Sequence, residues 1–236
     1  MAEHEGIRLH VYLARCGLAS RRKCEEMILE GLVKVDGKVI RQKGFKVIGE
    51  ESIVYNGREM RLEKNLVYLA LHKPVRFLCS SFDSQNRPLA SGLLPDSGRE
   101  RLFHVGRLDF MSSGLIFYTN DGVFANKIMH PSSRVEKEYL VTTRDPVTKE
   151  VLDAFVMGVP IEGEVFTITS FNLKNPNTMH IVLQEGKNRE IRKLFQYARI
   201  GVRKIHRVRI GQVRLLGLPP GQSRHLTKKE IASFYM

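Results

Sequence analysis

Apolar positions along this chain follow two periods. Leu9, Leu13 and Cys16 recur at helical spacing with Tyr12 beside them, and Gly17 ends that turn. Ser20 stands as an N-cap before RRKCEEMILEG, where Cys24, Met27 and Ile28 form a narrow stripe closed by Gly31. In LVKVDGKVI, Val33, Val35 and Val39 alternate around Asp36-Gly37, a strong two-residue hairpin signal. Residues 56–65 are polar, show no apolar period and read as a linker. Alternation returns at Val67, Leu69 and Leu71, predicting a strand that Pro74 stops. Residues 79–99, rich in Ser, Pro, Gly, Asp and Arg, read as a long loop.

Further on, a turn at Arg107–Ser113 separates two apolar stretches. VFANKIMHP predicts a helix ending before Pro131, EKEYLVTTR a strand, and KEVLDAFVMG a helix closed by Gly158. FTITSFNLKN and TMHIVLQEG read as strands. NREIRKLFQYARIGV reads as a helix, apolar at Ile191, Leu194, Phe195 and Ala198 and basic on its other side, and KIHRVRIGQVRL as a basic-faced strand. Strands are interspersed with helices without strict alternation, so the expected class is α+β. The expected organisation is a small helix-helix-hairpin domain over 1–55, a linker over 56–65, and a larger domain over 66–236. The second domain is expected to be a mixed or antiparallel sheet with flanking helices. A length of 236 residues accommodates both.

Charge narrows the function. Lys and Arg number 38 against 25 acids, a formal net charge of +13. Residues 7–48 carry ten cations and four acids, and residues 184–214 carry ten and two, so the excess sits in two separated segments. Such clustering favours a polyanion, usually nucleic acid, over a merely solubilising surface. Two weak contacts on one long ligand reinforce each other through effective concentration. Arg21, Arg22 and Lys23 fall in the first turn of a helix, where cations oppose the helix dipole and a phosphate would be welcomed. No apolar run approaches the ~20 residues of a membrane span. The start of the chain shows no secretory signal, and three scattered cysteines form neither a disulfide framework nor a zinc site, so the expected location is the cytoplasm.

Several residues could carry chemistry. Asp109 lies in a turn bounded by Gly106 and Gly114, beside Arg107. A loop carboxylate becomes a nucleophile when an arginine keeps it ionised and water is excluded, although on residue type alone a turn-capping aspartate is commoner. Tyr139 follows a Lys-Glu pair on a predicted strand and could stack on a nucleobase. Lys187, Arg189 and Arg192 surround a helix start. The plain alternatives are a half-buried strand tyrosine and a solvated basic helix.

Residues 7–53 resemble the alpha-L RNA-binding domain of ribosomal protein S4, which implies that Arg8, Arg21, Arg22, Lys23 and Lys34 contact RNA. LALHKP, GRLDFMSSGLIFYTNDG, EKEYLV and EGKNREIRKLF, in this order and spacing, resemble the pseudouridine synthases, above all the branch that modifies ribosomal RNA behind an alpha-L domain. The resemblance spans about residues 7–225. It implies Asp109 as the catalytic carboxylate, Tyr139 as its aromatic partner, Arg192 as the cation pairing with Asp109, and Ile191 packing on the uracil face. Arg107, Arg189 and Lys187 would then bind substrate. Ser112 stands where the branch usually shows threonine, keeping the hydroxyl. The implied reaction isomerises a uridine of ribosomal RNA, free or in a subunit precursor, by a flipped-base mechanism that needs no metal or cofactor in a monomer. Rival readings are a non-catalytic RNA-binding or ribosome-assembly protein, a glycosylase or hydrolase using Asp109, and, more weakly, a DNA-binding regulator.

Overall fold

The computed structural model describes residues 6–95 and 101–235. The chain separates into two compact units. One gathers residues 6–67 with 101–102 and 120–122, and the other holds residues 68–95, 103–119 and 123–235. The end of the expected 79–99 loop lies outside the described residues. Its earlier part carries a short 3-10 turn at Ala90–Leu93.

The front unit runs β1 (Ile7–Arg8), α1 (Leu9–Arg15), α2 (Arg21–Leu29), β2 (Val33–Val35), β3 (Lys38–Ile40), β4 (Lys46–Val47), β5 (Ile53–Tyr55) and β6 (Arg58–Glu59). Ser20 caps α2 by accepting from the Lys23 N–H. Asp36 and Gly37 both take positive φ, 47° and 78°, as a two-residue hairpin turn requires. The sheet order is β3-β2-β5-β6, so the hairpin extends into four strands. Helix and strand stripes meet in one core of Leu9, Leu13, Cys24, Ile28, Val33 and Ile53. The stretch expected to be a featureless linker is corrected here: it holds β6, and Met60 is buried in this core. The two strand residues are both polar and exposed, and the buried Met60 follows them, so there is no apolar period to read.

The second unit is built on β7 (Tyr68–Lys73), β8 (Phe103–Val105), β9 (Ser113–Thr119), β10 (Lys137–Thr143), β13 (Ser170–Asn175), β14 (Thr178–Leu183), β15 (Val202–Ile210) and β17 (Ser223–His225). A short β16 (Val213–Arg214) folds back on β15. The order is β13-β14-β10-β15-β9-β7-β17, antiparallel except where β15 runs parallel to β9. Helices α3 (Gly122–Met129), α4 (Lys149–Met157), α5 (Glu190–Tyr197) and α6 (Lys228–Ala232) flank it. A separate hairpin, β11 (Val159–Ile161) with β12 (Glu164–Phe166), interrupts the single strand expected from FTITSFNLKN. Phe124 and Ile128 of α3 pack with Leu115, Phe117 and Phe234 in one cluster, and α4 meets α5 through Phe155 and Phe195, ring centroids 5.3 Å apart. Along β10, alternation buries Tyr139, Val141 and Thr143 and leaves Glu138 partly exposed on the opposite face. There Glu138 ties the sheet together, accepting from Arg209 at 2.7 Å and facing His180 at 2.6 Å. Among the described residues no helix is long and apolar enough to cross a membrane.

Candidate active site

Register brings the distant motifs together. Tyr139 in β10 sits opposite Arg207 in β15, and Arg207 sits opposite Gly114 in β9. Asp109 lies just before β9, so the sheet carries it beside the tyrosine. A register shift between Glu138 and Tyr139 marks a bulge that re-aims the strand at this point. Gly114 is required here. Its φ is 111°, and an added Cβ would fall on the Arg207 carbonyl oxygen.

The turn carrying Asp109 is held by two buried cations. Lys73, fully buried at the end of β7, donates to the Pro74 and Ser112 carbonyls, both at 2.8 Å. Burial pushes its pKa down, and the paired carbonyls offset the cost of enclosing the ammonium. Arg207, also buried, donates to the Leu115 carbonyl at 2.6 Å, and at 3.4 Å to both the Arg107 carbonyl and the Tyr139 hydroxyl. Its guanidinium lies 5.9 Å from the Tyr139 ring centre. One arginine thus spans the Asp109 turn and the tyrosine. Backbone bonds from Ser112 N–H to the Asp109 carbonyl and from Arg76 N–H to the Phe110 carbonyl complete the turn.

The opposite wall comes from α5. Arg192 Nε lies 3.5 Å from Asp109 Oδ2 with both side chains half-buried, and its Nη2 donates to the Met111 carbonyl at 3.4 Å. Ile191 is buried beside it. Together with Arg107, Tyr139 and Lys187, these residues line a narrow, open cleft with about 90 Å³ of free space. All of the expected catalytic and substrate-binding residues therefore share one cleft, with differences of placement. Arg107 and Arg189 are exposed at its edge. Lys187 lines it, but its ammonium turns to the Val165 carbonyl and Glu185 and lies over the Phe166 ring.

Glu190 went unread in the sequence. It is buried in the same cleft, accepts the Lys187 N–H at 3.1 Å, and burial raises its pKa to about 7. Lys137, whose ammonium donates to the Gln184 carbonyl, is pushed down to about 8, chiefly by burial. The strand expected to present a basic face is corrected in part. Arg207 is interior, and Arg209 is committed to Glu136 and Glu138, so neither is open to a ligand's phosphates.

In the front unit, Arg8, Arg21, Arg22, Lys23 and Lys34 are all exposed. Arg8 and Arg21 both lie near enough to His10 to oppose its protonation, which burial already lowers. Lys23 is paired with Glu26 at 3.0 Å. Among the described residues no cluster of three or more His, Cys, Asp or Glu is placed to hold a metal ion.

Comparison with known proteins gives the class, an enzyme that acts on RNA. The chain belongs to the RNA pseudouridylate synthase family, whose model matches residues 67–197, and an S4 domain matches residues 7–53. It is 42% identical over 230 residues to an uncharacterized RNA pseudouridine synthase of Borreliella burgdorferi, covering 96% of this chain and 92% of that one. It is 34% identical over 230 residues to the ribosomal large subunit pseudouridine synthase B of Bacillus subtilis, covering 95% and 93%. A crystal structure of a pseudouridylate synthase superposes with a TM-score of 0.72 at 25% identity, covering 97% of this chain and 99% of the other. This chain is therefore an RNA pseudouridine synthase, an isomerase, with an N-terminal S4 domain.

Proposed function

We propose that this enzyme converts a uridine of ribosomal RNA to pseudouridine in the cytoplasm, with Asp109 as the catalytic carboxylate and the target base flipped into the cleft. The observation that carries the reading is the Asp109–Arg192 ion pair, 3.5 Å across the cleft that also holds Tyr139 and Ile191. The reaction cuts the bond from the sugar to uracil nitrogen 1, turns the ring, and rejoins the sugar through carbon 5. Nothing is oxidised and nothing leaves. A glycosidase normally needs a second carboxyl to protonate its leaving oxygen. Uracil departs as a stabilised ring, so one carboxylate suffices.

Asp109 opens the reaction, either by attacking the anomeric carbon or by taking a sugar proton to form a glycal. Arg192 keeps the carboxylate ionised and aimed. Tyr139 stacks on the detached ring and assists loss of the carbon 5 proton, while Ile191 packs on the ring and excludes water that would trap the freed sugar. Flipping the base costs a few kcal/mol, least for an unpaired nucleotide. The exposed cations of the front unit offset that cost through phosphate contacts. The test is incubation of the purified protein with ribosomal RNA, followed by complete digestion and chromatography. Pseudouridine in intact chains supports the reading, whereas released uracil or cut strands would replace it with a glycosylase or nuclease.

A further inference from the structure

Helix α5 has an unusual pair of ends. Arg189, at its N-cap, and Arg199, just past its C-cap, both adopt left-handed backbone, with φ of 53° and 59°. Ser, Asp or Asn is preferred at an N-cap, and none of that capping chemistry is present here. After the C-cap, the Arg199 N–H bonds to Gln196 O at 3.0 Å and the Ile200 N–H to Phe195 O at 2.9 Å. That is the Schellman pattern, whose left-handed residue is usually glycine. Two arginines stand where the backbone would be easier without a side chain, and such outliers point toward function.

Both arginines are exposed, and neither has an acidic partner among the described residues. They line one concave surface with about 560 Å³ of free space, together with Arg192, Lys193, Gln196, Ile200 and Gly201. Lys193 is shared with Glu162 at 2.7 Å, and the Gly201 N–H is taken by Asp145. Arg189 and Arg192 line both this groove and the cleft that holds Asp109, so the two adjoin. No aromatic ring is among the described residues lining the groove, so any stacking there falls to arginine guanidinium planes, which accept the face of any base.

We infer that this groove tracks the sugar-phosphate backbone of single-stranded RNA on one side of the flipped uridine, with Arg199 as its outer phosphate contact. The inference rests on the proposed function in placing the uridine in the adjoining cleft. A groove of cations without aromatic rings holds the strand irrespective of its sequence, and its grip weakens with salt. It extends the footprint beyond the reacting nucleotide without adding any base specificity.

The test uses the full chain carrying Asp109→Asn, so that chemistry cannot deplete the complex. Fluorescence anisotropy with a labelled single-stranded RNA is followed across salt for this protein and for the same protein with R199G, R199E or R199K. R199G relieves the left-handed residue, so its melting temperature should be no lower than the parent's, and weakened binding cannot then be assigned to misfolding. The expected result is a slope of log affinity against log salt shallower by about 0.7 for R199G, the loss of one phosphate contact on a single strand. R199E should bind more weakly still, R199K should keep most of the affinity, and unrelated RNA sequences should show the same losses. An unchanged affinity and slope in R199G and R199E would overturn the inference. So would losses confined to one RNA sequence. Pseudouridine formation by the wild-type chain is a separate readout. A groove effect without pseudouridine would sink the proposed function and leave the groove, and pseudouridine without a groove effect would do the reverse.

Discussion

The two units use cations in opposite ways. In the front unit Arg8, Arg21, Arg22 and Lys34 stand at the surface with no acidic partner among the described residues. In the second unit Lys73 and Arg207 are buried, Lys137 is partly buried, and Arg209 is held by two glutamates. Exposed cations attract a polyanion from a distance. Buried ones fix the backbone turn that carries Asp109 and the Tyr139 hydroxyl beside it. The basic segment near the C-terminus therefore presents less free charge than its composition suggests, and what remains includes Arg189 and Arg199 at the ends of α5 and Arg203 and Lys204 on β15.

The sharpest division is between chemistry and grip. Asp109→Asn should lower turnover by at least about 10³-fold while leaving the affinity for RNA intact. Single-turnover kinetics and anisotropy on the same preparation check both. If the variant also loses RNA affinity, chemistry and grip are not separate.

The next effect is structural. Gly114→Ala forces a Cβ onto the Arg207 backbone at a φ of 111°. The expected cost is ~3 kcal/mol, from a strained backbone and an overpacked contact. Thermal denaturation should show a loss of that size, and an unchanged melting temperature would mean that β9 and β15 are not this close.

Arg207→Lys keeps the charge but loses the fork that reaches Leu115, Arg107 and Tyr139 together. Turnover should fall on the order of 10²-fold from a loosened turn, with KM little changed. A KM effect alone would make Arg207 an RNA contact instead.

Glu190 gives a pH test. Its folded pKa, raised by burial to about 7, lies above the unfolded value of 4.5. The folded state therefore holds a proton that the unfolded state releases between these values, and stability falls as pH rises through that window. Glu190→Gln, which cannot ionise and still accepts the Lys187 N–H, should match the wild type near pH 4. It should be more stable by ~3 kcal/mol at pH 8. Parallel denaturant titrations at the two pH values check this.

The smallest effect belongs to the front unit. Replacing Arg21 and Arg22 together with alanine should leave turnover at saturating RNA intact. The salt slope of binding should become shallower by about 0.7–0.9 for each phosphate lost. An unchanged slope would remove the α2 terminus from the RNA interface.

The elements that were legible are those whose burial imposes a period. The Asp36-Gly37 hairpin, the Ser20 cap and the strand holding Tyr139 could be read because each leaves a local pattern of turn, cap or alternating burial, and the strand holding Leu69, buried on both faces, showed as an apolar run. The site residues were legible through a resemblance and not through physics, since an aspartate in a turn looks alike whether or not an arginine faces it. What escaped was set by tertiary packing. Lys73 and Arg207 read as surface charge because nothing local says that carbonyls will surround them. Gly114 was noted as a turn boundary, whereas its reason is a parallel strand from almost a hundred residues away. One omission was avoidable: Thr227 and Glu230 form a complete capping box at the start of α6, a signature plain in TKKE.

The central claim is that Asp109, held by Arg192 in this cleft, drives isomerisation of a uridine in ribosomal RNA. The most direct measurement is carbodiimide mapping of pseudouridine in ribosomal RNA from cells lacking this gene, complemented with either the wild-type chain or Asp109→Asn. The account predicts a site that disappears on deletion, returns with the wild-type chain and stays absent with the variant. Restoration of that site by Asp109→Asn, or an unchanged map on deletion, would contradict it.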